Sequence, residues 1–253
     1  MPYYERKIYA GKTIEVYKGY SKTIGKHESR GSRKKKTPEE MKKANQRRAE
    51  DKLRRLINTN FGYGDFHLVL TYRKDERPSP AEAKRELRNF LMRLKRAYQK
   101  IGAELKYITV TEYKNTAIHH HLIINDVKNQ NIPKLIQTVW KKGHPKFTPL
   151  DETGQYQKLA EYLIKETSKT FKEPGTANKQ RYSPSKNLKK PIEKVRVIKA
   201  SSWRKEPKAK KGYYLDKESV VNGTNAWTGQ AYQSYTMIKL EKVEPWERCG
   251  QSG

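Results

Sequence analysis

The chain has 253 residues and a formal net charge of +29, from 56 Lys and Arg against 27 Asp and Glu. Such an excess of cations attracts polyanions and makes a nucleic acid the expected partner. The sequence has neither a run of about 18 apolar residues nor the apolar segment of a signal peptide, and its single cysteine, Cys249, excludes an intrachain disulfide, so we expect a soluble protein of a reducing compartment with no membrane partner.

A basic segment precedes the first clearly apolar strand. Thr37, Pro38 and Glu40 form the pattern of an N-cap, a first-turn proline and a capping-box carboxylate, which predicts a helix from there to about Asn58. Residues 26–55 carry 13 Lys and Arg against five Asp and Glu. The sequence leaves two roles open for this helix, a solvated charged surface or an arm that contacts phosphates.

The middle of the chain carries the apolar patterns of a folded core. Short β-branched and aromatic runs predict strands, and apolar residues at helical spacing predict helices. The predicted strands are residues 66–72, 106–113 and 118–125. The predicted helices are residues 80–99, a helix from Asn131 that stops at Gly143, and residues 154–169. This order predicts an α+β fold, with a central antiparallel sheet flanked by helices.

The remainder of the chain is rich in loop signals. A strand is predicted at residues 194–200, and alternating apolar residues between 212 and 240 predict edge strands. We find no sign of an independent second domain. We therefore expect three segments: a basic N-terminal arm and helix (1–60), a functional core (61–172) and a basic C-terminal extension that packs on the core (173–253).

Three consecutive histidines, His119, His120 and His121, lie in the third predicted strand of the core. Side chains alternate along a strand, so the first and third project to one face and His120 to the face covered by helices. If the neighbouring strand forms a hairpin with Glu112 opposite His119, that carboxylate joins them. A lone strand histidine is usually structural, but two imidazoles with a carboxylate suit Mg²⁺ or Mn²⁺ near DNA. We predict a divalent metal site at Glu112, His119 and His121, a structural role for His120, and no role for the isolated His27, His67 and His144.

The last predicted helix of the core carries a polar stripe of Lys158, Tyr162, Lys165 and Lys169, on the side away from its apolar residues. Ammonium groups around a phenol favour the phenolate, which is the form that attacks phosphorus. Lys165 is placed to stabilise charge that develops on the phosphate. The stripe alone is more typical of an ordinary surface tyrosine on a basic helix.

These motifs, in this order, resemble the HUH endonucleases, and especially the rolling-circle replication initiators of small phages, prophages and plasmids. The resemblance rests on the strand at 66–72, TEYKNTAIHHHLIIN at 111–125 and EYLIK at 161–165, and RYSPSKNLKKP at 181–191 is similar to the same group. It implies a divalent metal held by His119, His121 and Glu112. It also implies Tyr162 as nucleophile with Lys165, on an antiparallel sheet like that of RNA-recognition domains.

The sequence departs from the family pattern at two points. The residue between the paired histidines is normally apolar but here is His120, although no other pair at this spacing exists. Some relatives carry two active tyrosines on the helix, whereas no second tyrosine follows Tyr162 on this one. The chain is therefore expected to use a single nucleophile.

The resemblance implies a metal-dependent endonuclease and strand transferase of a bacterial host cytoplasm. Its substrate would be single-stranded or hairpin origin DNA, cut to leave a 5′-phosphotyrosine and a free 3′-hydroxyl that a host polymerase extends. With no nucleotide-binding glycine loop in the sequence, unwinding is assigned to a host helicase. The residues expected to bind DNA are Lys158, Lys169, Arg181, Lys186, Lys189 and Lys190.

Two other interpretations remain open. A plasmid relaxase or a single-tyrosine transposase would share the metal site and the chemistry. A nucleic-acid-binding protein without catalytic activity would use the same histidines as structural residues. Metal dependence separates the last possibility from the others, because a pure binder holds DNA equally well in the presence of a chelator and does not cleave it.

Overall fold

The computed structural model describes residues 3–20, 37–114, 117–168, 180–200, 202–225 and 229–240. This part of the chain contains four α-helices and two five-stranded antiparallel sheets. The expected α+β class is therefore confirmed. No helix of the described residues is long and apolar enough to cross a membrane.

The chain divides into two compact units, one of residues 34–191 and one that combines residues 1–33 with 192–253. This division differs from the expected three segments and from the expectation of no second domain. The physical reason is strand pairing between distant residues. Strand β1 (Tyr3–Ala10) pairs with β2 (Thr13–Tyr20) on one side and with β8 (Ile192–Ile198) on the other, so the N-terminal residues join the C-terminal ones.

The unit of residues 34–191, hereafter the helical unit, contains a sheet whose strand order is β6-β3-β5-β4-β7. Its strands are β3 (Phe66–Leu70), β4 (Tyr107–Lys114), β5 (Ala117–Ile124), β6 (Pro145–Pro149) and β7 (Ser183–Pro184). Its helices are α1 (Pro38–Asn60), α2 (Pro80–Lys100), α3 (Ile132–Val139) and α4 (Gln157–Ser168). All the strands and helices expected in this region are present, with ends shifted by a few residues.

The two faces of this sheet carry separate cores. On one face, Leu68, Leu122 and Ile124 pack with apolar residues of α2 and α3. On the other, Ile108 and Val110 of β4 and Ile123 of β5 pack with apolar residues of α1 and α4. Strand alternation explains the separation, since consecutive residues of a strand face opposite ways. The sheet is therefore the middle layer of three.

Two of the helices begin where the sequence predicts. Thr37 accepts a hydrogen bond from the Glu40 N–H, and the Glu40 carboxylate accepts one from the Thr37 N–H. Ser79 and Glu82 make the same reciprocal pair at the start of α2. Each box satisfies backbone donors that have no partner within a helix, which fixes the first turn of α1 and of α2.

The other unit, hereafter the sheet unit, contains a sheet of order β8-β1-β2-β10-β9, completed by β9 (Tyr213–Thr224) and β10 (Ala231–Lys239). The strands expected near 194–200 and within 212–240 are present, and β1 and β2 are additional. Gly11 lies in the tight two-residue turn between β1 and β2 and has φ 58°. Tight hairpin turns require a positive φ, which glycine adopts without strain. A buried apolar cluster of this unit contains Ile14, Val16, Tyr235 and Met237.

Candidate active site

The β4–β5 hairpin has the predicted register, with Glu112 directly opposite His119. One carboxylate oxygen of Glu112, Oε2, lies 3.2 Å from Nε2 of His121 and 3.7 Å from Nδ1 of His119. His121 and Glu112 are buried, whereas about a third of the His119 side chain is exposed. The three predicted ligands therefore meet on one face of the sheet, at an edge that solvent reaches through His119.

A fourth residue of the cluster, His67 of β3, was not predicted from the sequence. Its Nε2 lies 3.3 Å from Nδ1 of His121, and the two rings stack with centroids 5.5 Å apart and an interplanar angle of 15°. Burial, followed by the neighbouring His121 and Lys146, lowers the pKa of His67 to about 4. Both ring nitrogens of His121 therefore have partners, Glu112 at one and His67 at the other.

Knowledge of the pairing between β3 and β5 would have been needed to place His67 in the cluster. In the structure Val69 lies opposite His121, so His67, two residues away on the same strand, shares the face of His121. This contact joins residues 54 positions apart in the chain. The sequence contains the histidine but not the information that β3 lies beside β5.

His120 faces the opposite side of the sheet and is fully buried. Its Nε2 lies 2.8 Å from the Tyr72 hydroxyl, and its Nδ1 lies 3.0 Å from Oγ1 of Thr111. Burial lowers the pKa of His120 to about 3, so the ring is neutral at physiological pH. These contacts agree with the structural role predicted for this residue.

Tyr162 lies on α4 beside the cluster. Its ring meets the His121 ring edge-on at 5.6 Å and the His67 ring edge-on at 6.4 Å, and 43% of the residue is exposed. The phenol is thus placed next to the predicted ligands, and its exposed part is open to a substrate. Lys158 and Lys165 of the same helix are exposed, and Lys169 lies outside the described residues.

The prediction that the surroundings favour the phenolate is wrong. The pKa of Tyr162 is raised above its ordinary value, first by burial and then by the negative charges of Glu112 and Glu166. The prediction of a lowered pKa took into account the lysines of α4 but neither Glu112 nor Glu166. The Tyr162 phenol is consequently protonated at neutral pH.

The cluster fits a divalent metal in the chemistry of its donors. Among the described residues, no group of three or more His, Cys, Asp and Glu side chains is in position to hold a metal ion as it stands. Glu112, His119 and His121 contact one another instead. Neighbouring ligands of an octahedral ion with bonds of about 2.1 Å lie about 3 Å apart, which is close to the separations seen here. The types of donor and these two separations are therefore compatible with a divalent ion.

The remaining residues that were expected to bind DNA are spread along residues 181–190. Arg181 lines a groove of about 680 Å³ between α2 and β4, together with three cations of α2 and no acidic residue. Lys186 lines a second groove of about 510 Å³ farther along α2. We call the two together the α2 groove; its cations are Lys84, Arg85, Arg88, Lys95, Arg181 and Lys186.

Lys189 and Lys190 do not line the α2 groove, although both side chains are exposed. The backbone N–H of Lys189 donates to the Asn60 side chain, and its carbonyl accepts from the same side chain. This pair of bonds attaches the segment to the end of α1. The two lysines thus occupy a different surface from Arg181 and Lys186.

A family model described as replication-associated protein ORF2/G2P matches residues 65–171. The matched range contains Glu112, the three consecutive histidines and Tyr162, and it suggests a role in the initiation of replication. It covers less than half of the chain and leaves out the whole of the sheet unit. Comparisons with curated proteins and with solved structures gave no significant match.

Proposed function

We propose that this protein is a rolling-circle replication initiator that nicks single-stranded origin DNA through Tyr162. The observation that carries the proposal is the position of the Tyr162 ring, 5.6 Å from the ring of His121. His121 in turn contacts Glu112, so one buried carboxylate, two imidazoles and an accessible phenol share one site. The match to a replication-associated family supports the biological context.

In the proposed reaction the Tyr162 oxygen attacks the scissile phosphorus. A bond forms between the phenol oxygen and phosphorus, and the bond from phosphorus to the 3′ oxygen breaks. The phenol loses its proton and the leaving 3′ oxygen gains one. The products are a 5′-phosphotyrosine on the protein and a free 3′-hydroxyl that a host polymerase extends. Attack by a new 3′-hydroxyl on the phosphotyrosine reverses these steps and rejoins the strand.

Glu112, His119 and His121 would hold the Mg²⁺ or Mn²⁺ ion. When bound, the ion supplies positive charge that polarises the scissile phosphate and favours its attack. If His121 ligates through Nε2, its Nδ1–H donates to His67, and this bond selects the tautomer that leaves the ligating lone pair free. Lys165, exposed one turn along α4 from Tyr162, adds positive charge for the phosphate.

We propose the α2 groove as a DNA-binding surface of the helical unit. It lies on the sheet face of His120, opposite to Glu112 and Tyr162, so it would hold DNA that flanks the scissile phosphate. Its lining residues on α2 run from Ala81 to Gln99, which at 1.5 Å per residue corresponds to about 27 Å of helix. Six of the side chains along it are cationic, and only Glu104 is acidic. Several consecutive phosphates fit along a basic groove of this length.

The proposal is tested with labelled single-stranded oligonucleotides tiled across the DNA that flanks the coding region. With Mn²⁺ present, one or more of them should give an adduct that survives denaturing electrophoresis. Tyr162→Phe should abolish the adduct and leave DNA binding unchanged, while Tyr63→Phe, at a tyrosine that is 71% exposed, should behave as the parent protein does.

An adduct that survives in Tyr162→Phe would show that the nucleophile has been assigned incorrectly. Equal binding with and without a chelator, together with no cleavage of any oligonucleotide, would favour a binding protein without catalytic activity.

A further inference from the structure

The sheet of the helical unit has a strip beside the candidate active site that the apolar core does not use. On the face of Tyr162 and the proposed ligands, the apolar cluster that packs with α1 and α4 takes its strand residues from β4 and β5. The neighbouring strands β3 and β6 present side chains on this face that are exposed or half-buried: His67, Val69, Lys146 and Thr148. The strip therefore leads from the site to β6, the edge strand of the sheet.

The opposite face of the same two strands is closed. Leu68 and Leu70 of β3 are fully buried in the apolar cluster that packs with α2 and α3, and Phe147 of β6 packs against that cluster. Because successive residues of a strand point to opposite faces, β6 alternates between this core and solvent. The side chains of Lys146 and Thr148 are therefore not needed for the core, and their face is open to a ligand.

The strand registers give the distance from the strip to the site. Lys146 pairs with Val69, which pairs with His121, so these three residues lie in one row across the sheet. Neighbouring strands are about 4.8 Å apart, which puts the backbone of Lys146 about 10 Å from that of His121. Thr148 lies opposite His67 in the next row of the same face. A ligand bound at Lys146 can therefore reach the proposed metal ligands across one short side chain, that of Val69.

Lys146 presents an exposed positive charge close to the cluster. Burial and the neighbouring His121 are the larger causes of the lowered pKa of His67, and the charge of Lys146 is the next, which agrees with the position that the registers give. Lys146 forms no ion pair with a carboxylate of the described part of the chain. Its charge is therefore not offset by an acidic neighbour there, and it attracts an anion that enters the strip.

The chemistry of the strip fits a DNA backbone better than a protein strand. Ammonium groups of lysine and hydroxyl groups of threonine are usual donors to phosphate oxygens. A protein strand that added to the edge would need N–H donors along β6, but Pro145 and Pro149 at its two ends have none. Glu112 and Glu166 place negative charge near Tyr162, so a phosphate that approaches the phenol needs cations nearby. Lys146 supplies one from the sheet.

We infer that Lys146 and Thr148 bind a backbone phosphate of the scissile strand next to the reacting one, so that the unpaired strand crosses β3 and β6 on its way to Tyr162. The inference rests on the proposed function, because it takes the site of Tyr162 as the place where the strand is cut. It adds a contact that none of the sequence motifs contains. Lys146 holds the strand in position and does not touch the reacting phosphate.

Crosslinking at a single position tests the contact without cleavage. The full-length protein carries Tyr162→Phe, Cys249→Ser to remove its one cysteine, and Lys146→Cys. The probe is an oligothymidylate with a thiol tether on one internal phosphate, and EDTA is present. A disulfide to the DNA should form in this protein and stay at background in a matched protein with Lys134→Cys, at an exposed lysine of α3 on the opposite side of the sheet. Equal crosslinking at the two positions would overturn the inference.

The dependence of binding on salt measures the contribution of the charge. In the Tyr162→Phe protein, Lys146→Gln should reduce the slope of log affinity against log salt concentration for oligothymidylate by about 0.7, the value of one phosphate contact on a single strand. Lys146→Arg should keep the parental slope, and Lys134→Gln should leave it close to the parental one. A parental slope in Lys146→Gln would overturn the inference.

The inference and the proposed function fail in different ways. With an oligonucleotide that the parent protein nicks, Lys146→Gln should raise the DNA concentration that gives half the maximal rate and leave the rate at saturating DNA unchanged. A fall in the saturating rate alone would contradict the inference, as would nicking by the parent protein without a crosslink at position 146. A crosslink at position 146 with no nicking of any oligonucleotide would support the contact and count against the nickase.

Discussion

Replacing His67 by phenylalanine should weaken metal binding without removing a proposed ligand. The phenyl ring keeps the 5.5 Å stack on His121 but has no nitrogen to meet Nδ1 of His121 at 3.3 Å. Partners of this kind orient a ligating histidine, and their loss typically costs about 10- to 100-fold in metal affinity. At 1.36 kcal/mol per factor of ten, this corresponds to roughly 1.4–2.7 kcal/mol.

The assay is a Mn²⁺ titration that follows adduct formation and, separately, Mn²⁺ binding by calorimetry. The midpoint for His67→Phe should rise by that factor, and saturating Mn²⁺ should restore most of the adduct, because Glu112, His119 and His121 are all retained. His144→Phe, at an exposed histidine, is the control and should keep the parental midpoint. An unchanged midpoint in His67→Phe would refute the argument that His67 orients His121.

Three further predictions concern stability and DNA binding. The metal-free protein should lose stability as the pH falls from about 6.5 toward 3. The reason is that His120 stays neutral in the fold, where its pKa is about 3, whereas in the unfolded chain it takes up a proton near the ordinary pKa of histidine. His120 should contribute up to about 1.4 kcal/mol per pH unit to the free energy of unfolding in urea, and a His120→Leu variant with the parental pH slope would contradict this prediction. Gly143→Ala should destabilise the protein by roughly 1–3 kcal/mol, because the added Cβ would clash with the Thr71 carbonyl oxygen. Gly62→Ala is the control and should have little effect, because no atom lies within 4 Å of a Cβ added there. Equal urea midpoints for the two variants would contradict the predicted clash at Gly143. Lys84, Arg85 and Arg88 line the same groove as Arg181. Replacing these three by alanine should reduce the slope of log affinity against log salt concentration by about 2 for single-stranded DNA. A control variant that loses three lysines outside the groove should reduce this slope less. Equal slopes for the groove variant and the control would contradict DNA binding in the groove. The residues replaced in that control are Lys128, Lys134 and Lys141.

The hairpin that gathers the proposed ligands was predictable because its information is local. Glu112 and His119 are separated by a short turn, and strand alternation then places His121 on the same face. The position of His67 was not predictable, since it depends on which strand lies beside β5. Pairings between distant residues are the part of a fold that local patterns do not encode.

The surroundings of Tyr162 were only partly predictable for a related reason. Lys158 and Lys165 are visible on the stripe of α4, but Glu112 approaches from another element, and its charge acts with burial to raise the pKa of the phenol. Glu166, four residues from Tyr162 on the same helix, was visible in the sequence and opposes the lysines. A charge count along one helix is therefore a poor guide to the protonation of a side chain that faces a sheet.

Strands near β8, β9 and β10 were predicted, but the sheet unit as a whole was not, because β1 and β2 from the start of the chain pair with these strands from its other end. Glu5 of β1, for example, accepts a hydrogen bond from Arg196 of β8, 191 positions away. Each of β1 and β2 has only a few buried apolar residues, so neither shows a strong apolar pattern alone. The unit becomes evident only when both ends of the chain are considered together.

The most direct test of the proposed chemistry is to identify the residue that becomes joined to DNA. The adduct formed with Mn²⁺ is digested with protease and nuclease, and the modified peptide is sequenced by mass spectrometry. The account predicts a single nucleotide-linked residue, Tyr162, with no adduct in Glu112→Gln or after chelation. A linkage at any other residue, or an adduct that forms without a divalent metal, would contradict it.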